Sequence, residues 1–505
     1  MANVSEIEIK LRLDPREIEK FVTLEVLGGS NAEGRRLRTI YFDDERRRLT
    51  RNGLELRVRS SGHAHMQTVK SGRGLTRGEW EAAVSGEAPE REAARGTPAQ
   101  KFLKKGAELK PIFVVDVERR SWRVEKDGDV AEISLDFGEI ASDERNQQIA
   151  EAEIELKAGS PQFLFDLARK VIHRCDAPPS FVGKALRGRR LAEGLVEHPQ
   201  PTIDLDLKPG TTTISAFRQI VDACLQQASL NEEILRRQPG DVETTHQLRV
   251  AIRRLRAALT LFSPLIAGEP LDALKRELKW FSGLLGEARD LDVFVTKTIE
   301  KARGAHPGVS SLDELRNRSV GLRQTAHQKL DDALHSERFR LLFLDLVEFA
   351  HVGAWESEAD RKKSKLRGMS AEAFAARQLE RRLNAIVGKK NRERIVGANE
   401  ANRHQLRIKA KKLLYMAEYF QSLAAAKCYG TTAKALHAVQ ESLGAVHDGV
   451  AAEQIISKLL VKENKADLAF AAGLLRQDLT KANCIAVACA AHDKLQRATP
   501  FWRAF

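Results

Sequence analysis

Acidic residues alternate with apolar residues near the start of the chain, in a pattern that could bind a metal ion. In SEIEIKLRL (residues 5–13), Glu6 and Glu8 fall on one side of a period-2 pattern, and Ile7 and Ile9 fall on the other. Two carboxylates on one face of a strand repel each other across a few ångströms. Hard oxygen ligands around Mg²⁺ or Mn²⁺ give a physical reason to keep them together.

The same alternation recurs along the first 200 residues. Further acids of this kind are Glu79, Glu81, Asp136, Glu153 and Glu155, and cations alternate in the same way at Lys10, Arg57, Arg59, Lys70 and either Arg119 or Arg120. Lysine and arginine neutralise phosphate oxygens, arginine in bidentate fashion. Carboxylates for a metal and cations for phosphate together predict metal-assisted phosphoryl transfer. The competing interpretation is a set of half-exposed strands with their polar sides in solvent, and for any single strand that explanation is the better one.

Strands are needed to position these residues. At least seven alternating segments, many rich in Val and Ile, lie between residues 5 and 159, and turn residues separate them, which favours antiparallel pairing. Helices are expected near 161–174 and 184–195. Residues 196–212 contain proline and glycine and lack a helical period. We therefore expect a first domain at 1–200 and a linker at 201–212.

Beyond this boundary the apolar residues recur at three- and four-residue spacing, which predicts amphipathic helices. HQLRVAIRRLR begins at His246 and HQLRIKAKKLL begins at His404, and the motifs LLGEARD and SLGAVHD each end 44 residues after those histidines. A shared gap-free spacing predicts a duplicated helical unit. We place it at 213–495, with repeats at about 213–350 and 369–495.

Nearly all of the net charge of +13 belongs to the helical part. Residues 1–200 hold 35 Lys and Arg against 34 Asp and Glu, which leaves 48 against 36 for the remainder. The basic face predicted from the two copies consists of His246, Arg249, Arg253, Arg254, Arg256, Lys279 and Arg289, with His404, Arg407, Lys411, Lys412, His437 and His447. Like charges at helical spacing repel, and an anionic partner would remove that cost.

The partner of this basic face is predicted from what the face lacks. Aromatic residues are 6% of the chain, and almost none lie on these faces, whereas sequence-tolerant binding of single-stranded nucleic acid usually adds aromatic stacking. A ligand of phosphates without bases therefore fits better than RNA. The competing interpretation is a basic face that is merely solvated, which is the commoner meaning of a charge run.

Cysteine usage and hydropathy limit the cellular context. The five cysteines are scattered with no CxxC pair, which predicts reduced thiols in a cytosol. The N-terminus lacks the long apolar segment of a signal peptide, and charges interrupt every apolar run before membrane-spanning length. We expect a cytoplasmic protein without a membrane partner.

The motifs resemble two known families in order. EIEIK (an ExExK motif), LTRNGLELRVR, TVKSG, RGEWE, VERRSW, LDFGEI and EAEIELK resemble the CYTH family, the triphosphate tunnel metalloenzymes, over residues 1 to about 200. They are most like the bacterial inorganic triphosphatase branch. The two HQLR motifs, with LLGEARD and SLGAVHD, resemble the CHAD family (the conserved-histidine α-helical domain) over residues 212 to about 495.

This resemblance implies an α+β multidomain protein. An eight-stranded antiparallel barrel, with charged faces lining a triphosphate tunnel, would precede an all-α domain of duplicated four-helix bundles that binds polyphosphate. We assign metal binding to Glu6, Glu8, Asp136, Glu153 and Glu155, catalysis to Glu6, Glu8, Lys10, Arg57, Arg59, Lys70, Glu79 and Glu81, and substrate binding to Arg77, Arg119 and Lys184. Arg187 and Arg189 are alternatives to Lys184.

The expected activity is hydrolysis of inorganic triphosphate to pyrophosphate and phosphate with Mg²⁺ or Mn²⁺. The enzyme would be cytoplasmic and held near polyphosphate granules by its helical domain. One alternative is a non-catalytic scaffold that binds polyphosphate. Others are an enzyme for a nucleoside or thiamine triphosphate or for ATP cyclisation, and a basic nucleic-acid binder.

Overall fold

The computed structural model describes residues 4–28, 32–71, 76–103, 108–353, 355, 360–397, 400–460, 466–479 and 483–505. The chain divides into two compact units. Unit 1 comprises Met1–Gln200, Ser229–Ile234 and Leu334–Ala354, and unit 2 comprises Pro201–Ala228, Leu235–Ala333 and Trp355–Phe505. Within the described ranges, every helix is too short or too polar to cross a membrane.

Eight antiparallel strands close into a barrel in unit 1. They are β1 (Val4–Arg12), β2 (Glu33–Asp43), β3 (Leu54–Ser61), β4 (Ala64–Ser71), β5 (Thr76–Val84), β6 (Lys110–Lys126), β7 (Asp129–Ser142) and β8 (Arg145–Ala158). Their order around the barrel is β1-β5-β4-β3-β2-β6-β7-β8. Side chains of a barrel strand alternate between the interior and the outer surface. The predicted antiparallel barrel is confirmed.

The charged side chains of β1 face the interior of the barrel, as the resemblance to the CYTH family implied. Ile9 and Leu11 are buried, whereas Glu8 and Lys10 line a cavity inside the barrel. In β1 the apolar side chains therefore pack outside the wall and the charged side chains face inward. On β2 and β6 apolar residues also share the inward face, because Leu37 and Val117 form a buried cluster with the lining residues Tyr41 and Ala185.

Among the described residues up to 200, four α-helices accompany the strands. They are α1 (Ile18–Phe21), α2 (Arg48–Arg51), α3 (Gln162–Arg174) and α4 (Lys184–Ala192). The two longer ones confirm the helices predicted after the last strand. In α4, a Cβ atom at Gly188 would lie 2.1 Å from Cδ2 of Phe113, so only glycine allows the helix to pack this closely on β6. This close packing fixes the helix whose first residue is Lys184.

The chain beyond residue 212 is helical. The helices are α5 (Thr213–Arg237), α6 (Val242–Leu261), α7 (Ser263–Ile266), α8 (Glu269–Val293), α9 (Glu300–Ala305), α10 (Ser310–Leu334), α11 (Glu337–Val352), α12 (Arg361–Gly368), α13 (Ala371–Val387), α14 (Lys389–Val396), α15 (Glu400–Glu418), α16 (Ala426–Leu460), α17 (Ala466–Leu479) and α18 (Asn483–Arg497). A π-helical turn, Phe294–Ile299, follows α8. The prediction of an all-α second part is confirmed.

The two predicted repeats meet inside unit 2. The HQLR motifs lie on α6 and α15, and these helices pack against each other. The chain entering α5 also pairs with the chain entering α13, since Thr213 N donates to the Met369 carbonyl at 2.8 Å and Ala371 N donates to the Thr211 carbonyl at 2.7 Å. The apolar stripe of α6, which includes Leu248 and Leu255, is buried as its spacing predicts.

Candidate functional site

A charged cavity of about 540 Å³ lies inside the barrel of unit 1. Its carboxylates are Glu8, Glu55, Glu79, Glu81, Glu132, Glu153 and Glu155, and its cations are Lys10, Arg35, Arg57, Arg59, Lys70, Arg119, Lys157 and Lys184. Among the described lining residues Tyr41 is the one aromatic side chain. A cavity lined almost wholly by charges of both signs suits a multiply charged ligand and its counter-ions.

A row of carboxylates crosses three neighbouring strands on one side of the cavity. Glu8 of β1 lies opposite Glu155 of β8, and Glu155 lies opposite Glu132 of β7. Directly opposed side chains have Cβ atoms about 4.5–5.5 Å apart, and like charges there are destabilising. We call Glu8, Glu132 and Glu155 the acid row. Lys10 Nζ lies 2.7 Å from Glu8 and Lys157 Nζ lies 2.6 Å from Glu155, so lysines offset part of this repulsion. A bound metal ion would offset more of it.

The next level of the barrel is a network of ion pairs centred on Glu153. This carboxylate accepts hydrogen bonds from Lys10 Nζ at 2.8 Å, from Arg119 Nη2 at 2.5 Å and from Lys184 Nζ at 2.9 Å. Burial alone would raise the pKa of Glu153, but Lys10, Lys184 and Arg119 outweigh it and hold that pKa well below its ordinary value. Glu153 is therefore ionised at neutral pH.

Two carboxylates behind the lining residues hold the same cations. Asp136, 1% exposed, accepts two hydrogen bonds of 2.6 Å from Arg119 and lies 2.8 Å from Lys184 Nζ. Glu151, which is also buried, accepts a hydrogen bond from Lys184. For Lys184, burial opposes the charged form, but Asp136, Glu151 and Glu153 raise its pKa above the ordinary value. The lysine is therefore a fixed positive charge at the cavity wall.

The opposite wall contains a cation whose charge is not neutralised. Arg57 lies 3.4 Å from Glu79, and Lys70 lies 3.1 Å from the same carboxylate. Arg59, by contrast, forms no ion pair within the described part of the chain and contacts Thr39 Oγ1 at 3.4 Å. Arg57, then burial, then Arg119 lower the pKa of Arg59 to about 10. An anion in the cavity would relieve this repulsion, so Arg59 is suited to bind phosphate.

The acid row and Glu153 supply the donor type that Mg²⁺ and Mn²⁺ prefer, namely carboxylate oxygens. Among the residues whose side chains are described, no three acidic, histidine or cysteine groups converge tightly enough to form a complete metal centre. The side chain of Glu6 lies outside the described residues, although its backbone is part of β1. By donor type, the carboxylates of the acid row and Glu153 therefore suit a divalent metal.

A second concentration of positive charge lies in unit 2, where α6 and α15 pack together. Burial, then Arg289 of α8, then Lys411 of α15 and Arg249 lower the pKa of His246, against an opposing effect of Glu243. Burial likewise lowers the pKa of Arg253, and Arg249 and Arg407 act in the same direction. Since α6 packs against both α8 and α15, cations of three neighbouring helices act on one another in this region. Arg249 pairs with Asp290 at 2.8 Å, with both side chains partly exposed.

Three further cations cluster beside this group. Burial, then Arg256 and Arg382, lower the pKa of Lys412. Arg382 of α13 donates to the Gln378 carbonyl at 3.1 Å and to the Thr260 carbonyl at 3.0 Å, and burial and Arg381 lower its pKa to about 10. In the described ranges none of Arg256, Arg382 and Lys412 forms an ion pair. Neutral acceptors thus hold Arg382 in place without neutralising it.

Comparison with known families also separates the barrel part of the chain from the helical part. A CYTH domain model matches residues 5–175, and a CHAD domain model matches residues 219–457. The chain carries a CYTH domain followed by a CHAD domain. The crystal structure of the CHAD domain from the plant Ricinus communis is 30% identical, with a TM-score of 0.51, over 59% of this chain and 98% of that one.

The CYTH domain also has a curated relative. An inorganic triphosphatase from Haemophilus influenzae is 29% identical over 198 residues, which are 37% of this chain and 54% of the relative. The chain thus spans about half the length of this curated relative.

The CYTH cavity brings together most of the residues that the sequence singled out. Lining residues from that set are Glu8, Lys10, Arg57, Arg59, Lys70, Glu79, Glu81, Arg119, Glu153, Glu155 and Lys184. The side chains of Glu6 and Arg77 lie outside the described residues, although their backbones pair across β1 and β5. Asp136 lies behind the lining and contacts Arg119 and Lys184, so its contacts are those of a residue that positions cations.

The structure separates the alternatives that the sequence left open. Arg119 lines the cavity, whereas Arg120 lies on the other face of β6, paired with Glu118 at 2.9 Å. Lys184 lines the cavity, whereas Arg187 and Arg189 are absent from its described lining.

Several lining residues were missed by sequence reasoning. They are Arg35, Tyr41, Glu55, Glu132 and Lys157. Glu132 and Lys157 could have been found, because each shares a strand face with a residue already chosen, Asp136 and Glu155 respectively. Arg35 and Tyr41 share one face of β2, a strand from which the sequence analysis chose no residue.

In the CHAD domain the structure places one predicted ligand elsewhere. Arg254 is 3% exposed, pairs with Glu418 and lies over the Tyr419 ring at 5.1 Å. Successive helical residues are about 100° apart, so Arg254 cannot share the face of Arg253. Lys279 and His437 are exposed on α8 and α16, and the side chain of His447 lies outside the described residues. Arg382 was not predicted, because 158 residues earlier, at the matching position of the first repeat, stands Cys224.

Proposed function

We propose that the CYTH domain hydrolyses inorganic triphosphate to pyrophosphate and phosphate with the help of Mg²⁺ or Mn²⁺. The observation that supports the proposal is that one cavity has two unlike walls. The acid row lies on one side, and Arg59, which forms no ion pair among the described residues, lies on the other. Polyphosphate anions bound with a divalent cation present this combination of charges. The similarity to an inorganic triphosphatase supports the same substrate.

The substrate class follows from what lines the cavity. A nucleoside or thiamine triphosphate presents a ring that proteins usually hold by stacking or by apolar contact. Tyr41 is the one aromatic side chain of the described lining, and its ring stacks on Phe113 with centroids 4.4 Å apart. One face of that ring is thus covered by protein, which favours a substrate without a base.

The chain's own groups divide the work between the two walls. Arg57, Arg59 and Lys70 bind phosphate oxygens on one side, and Lys10, Arg119 and Lys184 offset developing negative charge on the other. Glu6 and Glu153 together with the acid row would hold the metal, which when bound polarises phosphoryl oxygens and orients a water molecule. A carboxylate of the acid row accepts the proton of the attacking water.

The CHAD domain, in this proposal, binds inorganic polyphosphate through the face formed by α6 and α15. Cations from α6, α8, α13 and α15 cluster there, and in the described ranges Arg256, Arg382 and Lys412 form no ion pair. Binding would hold the enzyme near polyphosphate in the cytoplasm, including polyphosphate granules.

The two activities are separable by variants. E8Q should abolish phosphate release from tripolyphosphate while leaving the affinity for long polyphosphate unchanged. The double variant R253Q/R407Q should weaken the affinity for long polyphosphate and leave phosphate release from tripolyphosphate unchanged. A wild-type protein that binds polyphosphate but releases no phosphate with either metal would instead be the non-catalytic scaffold, and preferential hydrolysis of ATP or thiamine triphosphate would identify an organic substrate.

A further inference from the structure

Two consecutive glutamates of unit 1 contact arginines that flank the cavity. Arg12 Nη2 donates to both carboxylate oxygens of Glu232, each at 2.9 Å. Glu233 Oε1 accepts a hydrogen bond from Arg187 Nη1 at 2.7 Å, and its Oε2 lies 3.4 Å from Arg12 Nη1. The Glu232 and Arg187 side chains are 3% and 6% exposed. None of the four lines the cavity. Burying a charged pair costs desolvation free energy, and a buried pair does not contribute to solubility as a surface charge does. These pairs therefore indicate another role.

Arg187 forms hydrogen bonds with residues 180–182, the segment that precedes Lys184. Its Nε donates to the Val182 carbonyl at 3.2 Å and its Nη2 donates to Ser180 Oγ at 3.3 Å. Arg187 lies one helical turn after Lys184, so these bonds tie the first turn of α4 to the residues that precede it. The Arg187 guanidinium thus contributes two side-chain hydrogen bonds to the path of the chain into Lys184.

The same segment is fixed to the strand that carries Lys10. Ser180 N donates to the Lys10 carbonyl at 2.8 Å, and Arg12 N donates to the Pro178 carbonyl at 2.9 Å. The segment and β1 thereby bring the two lysines to one carboxylate, since Lys10 and Lys184 both bind Glu153 Oε1. A shift of the segment would change the distance between these two ammonium groups.

Glu233 compensates the charge that makes this arrangement possible. The other partners of Arg187, a carbonyl and a hydroxyl, are neutral. A guanidinium buried among neutral groups is unstable, and removing one partner of a buried pair leaves an uncompensated charge. Without the Glu233 carboxylate, Arg187 would move toward solvent and release Ser180 and Val182.

We propose that Glu233, acting through Arg187, is a positioning residue that sets the place of Lys184 in the cavity and so determines the affinity for triphosphate. The inference rests on the proposed function, and it adds a residue with no contact to the substrate. E233Q keeps the size of the side chain and removes the charge. We expect it to raise the KM for tripolyphosphate about tenfold, with a smaller effect on kcat.

The experiment compares steady-state kinetics of the full chain carrying E233Q with those of wild type and E348Q. Glu348 is the matched control, because it pairs with Arg169 at 2.6 Å in the same unit and contacts none of the residues near Lys184. E233Q is also measured in a K184M background. If Glu233 acts through Lys184, E233Q will not raise KM further there, whereas a merely structural role would add its full effect.

Equal KM values for E233Q, E348Q and wild type would overturn the inference, as would an undiminished effect of E233Q in the K184M background. If E233Q does not fold, R187M combined with E233M removes both charges, and the same comparison of KM applies to that protein. If the wild type shows no turnover, the proposed function is wrong, but the inference about Glu233 can still be tested by binding. Calorimetric binding of tripolyphosphate then decides the inference, with a weaker affinity of E233Q supporting it and an unchanged affinity overturning it.

Discussion

Lys10 Nζ lies 2.8 Å from Glu153 Oε1, directly across the strand pair β1 and β8. Because Glu153 also binds Arg119 and Lys184, one carboxylate organises three of the cations that face the substrate cavity. Opposed charges of this kind are preorganised, since both side chains are largely shielded from solvent, with 12% and 15% exposed, and are held by the barrel. The position of phosphate in the cavity therefore depends on a carboxylate as much as on the cations themselves.

Removing the charge of Glu153 should destabilise the CYTH domain as well as inactivate it. E153Q leaves three largely buried cations, each with 12% of its side chain exposed, short of one partner. We expect a loss of about 3 kcal/mol in the free energy of unfolding at neutral pH. The measurement is urea unfolding of wild type and variant, followed by circular dichroism.

The pH dependence of that loss has a defined sign. The pKa of Glu153 in the folded protein is well below the ordinary value of 4.5. The stabilisation is therefore complete above about pH 4.5 and is lost as the pH falls through the lowered folded pKa. The stability difference between wild type and E153Q should shrink in acid, and a difference that stays constant down to acid unfolding would contradict this account.

Neighbouring arginines on β6 provide a matched pair of variants. R119Q removes a cation that lines the cavity and contacts Glu153 and Asp136, and we expect the KM for tripolyphosphate to rise at least about tenfold. R120Q removes a partly exposed arginine paired with Glu118, and such surface pairs contribute about 0–1 kcal/mol. Equal KM values for the two variants would refute the assignment of Arg119 to the cavity.

Polyphosphate binding by the CHAD domain should strengthen as the pH falls. Burial and Arg289 lower the pKa of His246 below its ordinary value of 6.5, and a bound polyanion would raise it again. Binding then takes up a proton, so affinity rises as the pH falls toward the lowered pKa and levels off below it. Fluorescence titration with long polyphosphate between about pH 5.5 and 8.5 measures this slope. H246Q should flatten it, and an H246Q slope equal to that of wild type would exclude His246 as a contributor.

Arg382 should contribute to polyphosphate affinity although no motif contains it. Neutral acceptors hold its guanidinium beside Arg256 and Lys412, so a phosphate group would gain a charge-assisted hydrogen bond there. We expect R382Q to weaken binding roughly tenfold and to reduce its salt dependence, since one cation is lost. The control is R303Q, because Arg303 already pairs with Glu300 and Asp313. A weakening as large in R303Q would show that only net charge matters.

Alternation along each strand predicted which side chains share a face, and the resemblance to the CYTH family supplied the barrel and the inward direction of the charged faces. Glu8, Lys10 and Glu153 follow that alternation directly. It could not decide between Arg119 and Arg120, because adjacent charged residues leave the phase of the strand open. That phase is set by pairing of β6 with β2 and β7, which the local pattern does not contain.

Helix faces were harder to predict from the duplicated motif. Arg254 stands within the basic run RRLR, yet the rotation of the helix carries it into the core beside Tyr419. Arg382 escaped because the first repeat has Cys224 at the equivalent position, so comparison of the two copies gave no signal. Both depend on which helices pack against α6 and α15, and that information is tertiary.

Phosphate release by the 505-residue chain is the most direct test of the central claim, that the charged barrel is a metal-dependent inorganic triphosphatase. Tripolyphosphate, long polyphosphate, ATP and thiamine triphosphate are each incubated with Mg²⁺, with Mn²⁺ and with a chelator. We expect release of one phosphate per tripolyphosphate, requiring either metal and abolished by E8Q and by the chelator. No release from tripolyphosphate with either metal, or release that E8Q leaves unchanged, would contradict the account.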